Sequence, residues 1–150
     1  MVEEMKGNIC GVIADAVRKI PYDEYITVEK VKEVKVDIPH ITEVAENLAE
    51  YLSDDDLILP FTKLGAFYYG QALYSLAQPW LDRGREIAER RLDKNNGDIA
   101  TVYNCLAALY FAQGKYEAAE PLYLQAFKIV KTVLPENYPN IAVSLSNLAE

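Results

Sequence analysis

Tyr103–Leu134, YNCLAALYFAQGKYEAAEPLYLQAFKIVKTVL, decides the fold. Tyr103, Leu106, Ala107 and Tyr110 recur at three- and four-residue steps, which places them on one side of a helix. Ala119, Tyr123 and Ala126 do the same for a second helix, and Gly114-Lys115-Tyr116 supplies a tight turn between the two. Large and small side chains alternate, so the helices can interlock as ridges in grooves, with Ala107 and Ala119 expected at the closest approach. The unit is echoed about 42 residues upstream, where Tyr110 falls on Tyr68, Tyr116 on Tyr74, Ala119 on Ala77, Pro121 on Pro79 and Leu134 on Leu92. The same step downstream puts Ile99, Ala100, Leu106 and Ala107 on Ile141, Ala142, Leu148 and Ala149. The chain therefore reads as all-α, with helical repeats over about 57–98 and 99–140 and the start of a third from 141. In the first unit Phe61, Leu64, Gly65, Tyr68, Ala77, Leu81 and Gly84 take the matching packing roles.

Working outward, residues 1–53 form an N-terminal helical extension to a repeat region at 54–150. Met5, Ile9, Val12, Ile13, Val17 and Ile20 predict an amphipathic helix over 2–20, ended by Pro21. Thr27 can cap a short helix, although Lys30 stands where a capping box would have a carboxylate. Ile41, Val44, Ala45, Leu48, Ala49 and Leu52 predict a helix near 38–52, with Pro39 in its first turn and Asp37 or Ile38 as its boundary. Ser53-Asp54-Asp55-Asp56 breaks the period; the alignment pairs Asp56 with Asp98 and predicts both as helix caps. With Asp56 as cap, Pro60 would lie at the fourth helical position, where a bend is expected.

Composition narrows the function classes. Of 150 residues, 51% are hydrophobic and 25% charged, the balance of a globular chain rather than a disordered one. A formal net charge of -8 opposes nucleic-acid or anionic-lipid binding, both of which begin with a basic face. No run of about 18 apolar residues predicts a membrane span, and no secretory signal is indicated, so a cytoplasmic location is expected. The two cysteines, Cys10 and Cys105, suggest neither a disulfide framework nor a metal site and read as buried thiols.

The series Tyr103, Leu106, Ala107, Tyr110, Ala119, Tyr123, Ala126 resembles the tetratricopeptide repeat signature, and AEPLY at Ala119–Tyr123 with the longer period resembles the kinesin light chain type. The resemblance covers about 57–150 and implies an α-α superhelix. The first repeat departs from it at Gln78, Pro79, Trp80 and Gly84 and reads as a divergent cap. Upstream, Ile38–Ala45 followed by Tyr51–Asp54 and Asp56–Ile58 is similar to the helical segment that precedes such repeats in bacterial proteins with an NB-ARC nucleotide-binding module. That resemblance implies the sensor or scaffold arm of a larger signal-transduction NTPase. No GxxxxGK[ST] loop occurs in the chain, so this piece is not expected to bind ATP.

No reactive constellation emerges: no catalytic residue, metal ligand or cofactor is expected. His40 has Glu43 three positions on, a spacing that permits an acid–base pair, but a polar residue at a helix start explains it more simply. Cys105 lacks a histidine partner in its segment, and consecutive aspartates at 54–56 lack the spaced ligands of a calcium loop. The expected function is therefore non-catalytic binding of a protein or peptide partner. Stacked helix pairs create a concave surface, and the family register implies that it is lined by Thr62, Lys63, Ala66 and Tyr69 from the first repeat. Asn104, Cys105, Ala108 and Phe111 follow from the second, with Ser146 and Asn147 from the third. Asn104 and Asn147 are the foremost candidates because an amide offers both donors and acceptors to a peptide backbone; the alternative is that they are ordinary exposed polar residues. Lys63 alone supplies a cation there, so a carboxylate-gripping clamp is poorly supported. Tyr69 and Phe111 align and follow a core tyrosine, so they are expected to face the groove or the neighbouring repeat.

The third repeat begins with Leu145, Leu148 and Ala149 and reaches only Glu150. An incomplete repeat is expected to leave an apolar face uncovered and to self-associate through that end, giving an architectural segment as the alternative function.

Overall fold

A computed structural model describes residues 1–8, 18 and 27–133. The regular elements among these residues are all helical: α1 (Val28–Lys35), α2 (Ile38–Glu43), α3 (Leu59–Tyr69), α4 (Tyr74–Arg91), α5 (Gly97–Ala112) and α6 (Tyr116–Val133). Residues 2–8 are helical as well. The chain divides into two compact units, Met1–Trp80 and Leu81–Glu150, with the division falling within the α4 segment of the sequence.

In the first unit, Thr27 caps α1 as its sequence predicts, its Oγ1 accepting from the Lys30 backbone N–H at 3.2 Å. Pro39 lies in the first turn of α2, where no hydrogen bond is lost. The predicted 38–52 helix is present but changes pitch: the ladder widens to a π-helix over Val44–Leu48 and tightens to a 3₁₀ turn at Ala49–Tyr51. Ile41, Val44, Ala45, Ala49 and Leu52 are buried. α1 packs on α2, and α2 with its π extension packs on α3. Lys6 donates to the Tyr51 hydroxyl at 3.3 Å, and Arg18 pairs with Asp56.

The start of α3 corrects the predicted Asp56 cap. Asp56 belongs to a preceding turn, where its backbone N–H donates to Ser53 O and its side chain accepts from Ser53 Oγ at 3.0 Å. The helix begins at Leu59, so Pro60 sits in the first turn and need not bend it. Asp98 is likewise displaced as a cap by Asn96, whose side chain accepts from the Asp98 N–H at 2.8 Å.

In the second unit α5 and α6 form a closely packed antiparallel pair. Val102, Leu106, Ala107 and Leu109 on α5 are fully buried, as is Ala126 on α6, with Ala119 and Leu122 nearly so. Both predicted close-approach residues, Ala107 and Ala119, thus lie in the core. Pro121 is the sixth residue of α6 and Pro79 the sixth of α4, each removing one hydrogen bond near a helix start.

The turns that join the helices of each repeat are the same, built from opposite sequences. After α5, Gly114 is left-handed (φ 75°), its N–H donates to Phe111 O at 2.9 Å, and Lys115 N–H reaches Tyr110 O at 2.8 Å, a Schellman closure. After α3, Ala72 occupies that left-handed slot (φ 59°), with Ala72 N–H to Tyr69 O and Leu73 N–H to Tyr68 O, both at 2.9 Å. The second turn reads Ala112-Gln113-Gly114, the first Gly70-Gln71-Ala72, so glycine stands two residues too early in the first. A Cβ at Gly114 would meet no atom within 4 Å, leaving backbone strain as the whole effect. Gly114→Ala should lower stability by about 1–2 kcal/mol and Ala72→Gly should raise it by up to about 1 kcal/mol. Urea unfolding that moves both variants in one direction would contradict this pairing.

Candidate functional site

The residues expected to line a ligand face divide into those buried and those accessible. α3 is apolar on every side, and a helix of that kind is enclosed rather than half-exposed. Thr62 and Lys63, predicted as groove residues, are accordingly buried, at 0% and 3% exposure. Thr62 Oγ1 is occupied within the helix, donating to Ile58 O at 3.0 Å. These two expectations are corrected: neither side chain lies on an open surface, and Lys63 is not an accessible cation. Ala66 and Tyr69, one turn apart on α3, are half-buried.

On α5 the predicted set stays together. Asn104, Ala108 and Phe111 follow at i, i+4 and i+7 and so share one stripe, with Cys105 beside them. Asn104, Cys105 and Ala108 are half-buried, and Phe111 is 40% exposed. Cys105 is thus not the fully buried thiol its sequence suggests; Cys10 lies outside the described residues, as do Ser146 and Asn147. The Asn104 amide also differs from expectation: its Oδ1 is buried with no hydrogen-bond partner among the described residues, so the residue's exposure belongs to its other atoms.

An aromatic step that sequence reasoning left out of the site closes this stripe. The Phe111 ring packs edge-to-face on Tyr116, the first residue of α6, with centroids 5.0 Å apart, and Tyr116 is 60% exposed. In the first unit Tyr69 and Tyr74 form a tilted pair at 5.6 Å. The signal was present in the sequence, since Tyr69 aligns with Phe111 and Tyr74 with Tyr116.

A polar cluster lies along the other edge of α5. The Tyr103 hydroxyl donates to Glu89 Oε1 at 2.6 Å, and Arg85 Nε donates to the same oxygen at 2.9 Å. The Arg85 guanidinium also lies over the Tyr103 ring, 5.4 Å from its centroid. Burial pushes the Tyr103 phenol up to about 12, and its hydrogen bond to Glu89 adds to the rise. Burial also pushes the Glu89 carboxyl up, but the hydrogen bonds from Tyr103 and Arg85 outweigh it and leave the carboxyl below its ordinary value. Arg85 is raised, first by its hydrogen bond to Glu89. Tyr110, two turns beyond Tyr103, is raised by burial and then by the Asp82 charge, and Lys115 Nζ lies 5.8 Å from its ring centroid. At neutral pH the cluster is therefore a carboxylate acceptor, Glu89, held by a neutral phenol, Tyr103, and a guanidinium, Arg85.

His40 is exposed on α2, while Glu43 accepts from Asn47 Nδ2 at 3.1 Å. Among the described residues no group of three or more His, Cys, Asp or Glu side chains is placed to hold a metal ion, and no helix is long and apolar enough to cross a membrane. The partly accessible stripe consists of a half-buried amide, a small residue and a pair of aromatic rings.

The tetratricopeptide repeat family model matches residues 56–131 and again 98–150, together well over half of the chain. No curated protein matches it.

Proposed function

Because the chain belongs to the tetratricopeptide repeat family, whose members generally mediate protein–protein interaction or scaffolding, we propose that it is a non-catalytic module that binds an extended peptide segment of a partner protein. The contact face of this reading is the Asn104–Ala108–Phe111 side of α5, with Asn147, outside the described residues, assigned to it by the repeat alignment alone. The observation that carries this reading is the stripe itself: a half-buried amide, a small residue and a 40% exposed aromatic ring in line on one helix. The repeat region spans 54–150, and the 1–53 extension connects it to the rest of a signalling protein. Within that reading the module serves as the sensor or scaffold arm of an NB-ARC-type switch of the cytoplasm, a role supported by the resemblance of Ile38–Ile58 to the segment preceding such arms.

A peptide array probed with the whole chain tests the contact face. Asn104→Ala combined with Asn147→Ala should reduce binding by at least about tenfold, the loss expected when two hydrogen-bonding groups are removed from one backbone. Undiminished binding by the double variant would sink the groove reading.

The alternative, an architectural segment that self-associates, draws on Leu124 and Val133, 41% and 48% exposed on α6. Sedimentation showing assembly that grows with concentration, together with no peptide binding, would favour it.

A further inference from the structure

The Tyr103–Glu89–Arg85 cluster does more than pack. Tyr103 occupies a repeat position that area burial alone would explain, yet its hydroxyl is committed to a carboxylate on a different helix, fourteen residues earlier in the chain. Glu89 Oε1 is held in turn by Arg85 Nε one helical turn back on α4, and the guanidinium covers the Tyr103 ring. Three side chains thus fix one another by two hydrogen bonds to a single oxygen and one cation–π contact, all within the second compact unit.

Such a junction constrains rotation. Side chains advance by about 100° per residue around a helix, so Asn104 stands about 100° from Tyr103, Phe111 about 80° and Ala108 about 140°. Fixing the Tyr103 phenol on α4 therefore fixes where the Asn104 stripe points, and Tyr110, on the same line as Tyr103 two turns later, extends the constrained edge. The geometry points to Tyr103, Glu89 and Arg85 as a positioning site that sets the rotation of α5 and so aims its Asn104–Ala108–Phe111 face. The functional sense of that aim rests on reading this face as the ligand surface; the physical claim about α5 does not.

Cys105, next to Asn104 and half-buried, reports on the helix without any ligand. In the full chain carrying Cys10→Ser it is the only cysteine, and its rate of alkylation by N-ethylmaleimide follows local freedom of α5. Tyr103→Phe keeps the ring and removes only the hydroxyl, and Glu89→Leu removes the acceptor. Both should accelerate alkylation roughly five- to tenfold, the population shift expected from losing one charge-assisted hydrogen bond. Glu89→Gln retains an oxygen for the phenol and should recover most of the slow rate.

The control is Gln125→Gly on the exposed side of α6, a change that weakens the unit through helix propensity without touching the cluster. Compared at urea concentrations equally far below each variant's midpoint, it should alkylate within about twofold of the parent. Acceleration by Gln125→Gly equal to that of Tyr103→Phe, or Glu89→Gln as fast as Glu89→Leu, would overturn the positioning role. Because no peptide is present, a failed contact-face reading leaves this rate pattern intact. A failed positioning role equally leaves the peptide-array result standing.

Discussion

Phe61→Ala is expected to lower the unfolding free energy by about 3–5 kcal/mol. Phe61 is 1% exposed and lies near the start of α3, a helix whose neighbours Leu57, Ile58 and Leu64 are equally enclosed. Removing the ring leaves a cavity that the proline-fixed first turn and the tightly packed flanking residues are poorly able to collapse into. The change should lower the urea midpoint while leaving the slope of the transition unaltered, since the surface exposed on unfolding hardly changes. A loss smaller than about 1 kcal/mol would mean that α3 is not held in the interior. The aligned position in the second repeat, Tyr103, is half-buried and satisfies its hydroxyl on Glu89. Phe61→Tyr would bring a hydroxyl into a site that is 1% exposed, so Tyr103 and Phe61 are not interchangeable despite their shared register.

That contrast explains which features were legible from residues alone. The helix pair over Tyr103–Val133 was legible because its signal is local: a 3.6-residue period, a glycine at the turn and alanines spaced along the inner faces. The buried state of Ala107 and Ala119 follows from the same pattern. Thr62 and Lys63 were misplaced because the register of the second repeat was carried onto the first, although LPFTKLGAF has no polar stripe to face solvent. Their polarity invited a surface role, while the apolar residues on every side of them enclosed the helix. Ala72 was hidden for a different reason. The Schellman closure fixes where a left-handed residue must stand, and an alanine in that slot carries none of the signal that a glycine would. The partnership of Tyr103 with Glu89 and Arg85 was not legible at all, because it depends on how α4 and α5 meet rather than on any spacing within one helix.

Ala119→Leu should cost about 1–3 kcal/mol through the opposite defect, too much volume rather than too little. Ala119 is 2% exposed on α6, which packs against α5, where Ala107 and Leu106 are fully buried. Three added carbon atoms cannot turn outward from a position so enclosed, so either the side chain leaves its preferred rotamer or the helices separate. Separation would also weaken the contacts of Leu122 and Ala126 farther along the same helix, which is why the penalty should not be confined to one turn. In a chain of this length Tm should fall by roughly 2–4 °C for each kcal/mol lost. An unchanged Tm would place Ala119 away from the helix crossing and shift the register of the repeat. Pairing Ala119→Leu with Ala107→Gly sharpens the test: if the two residues face each other, the methyl removed from α5 makes room on α6. The double variant should then be less destabilised than the sum of its parts, after the helix-propensity cost of about 1 kcal/mol for glycine is counted. Strict additivity would show that the two alanines are buried independently, and the closest approach of α5 and α6 would have to be sought elsewhere along the pair.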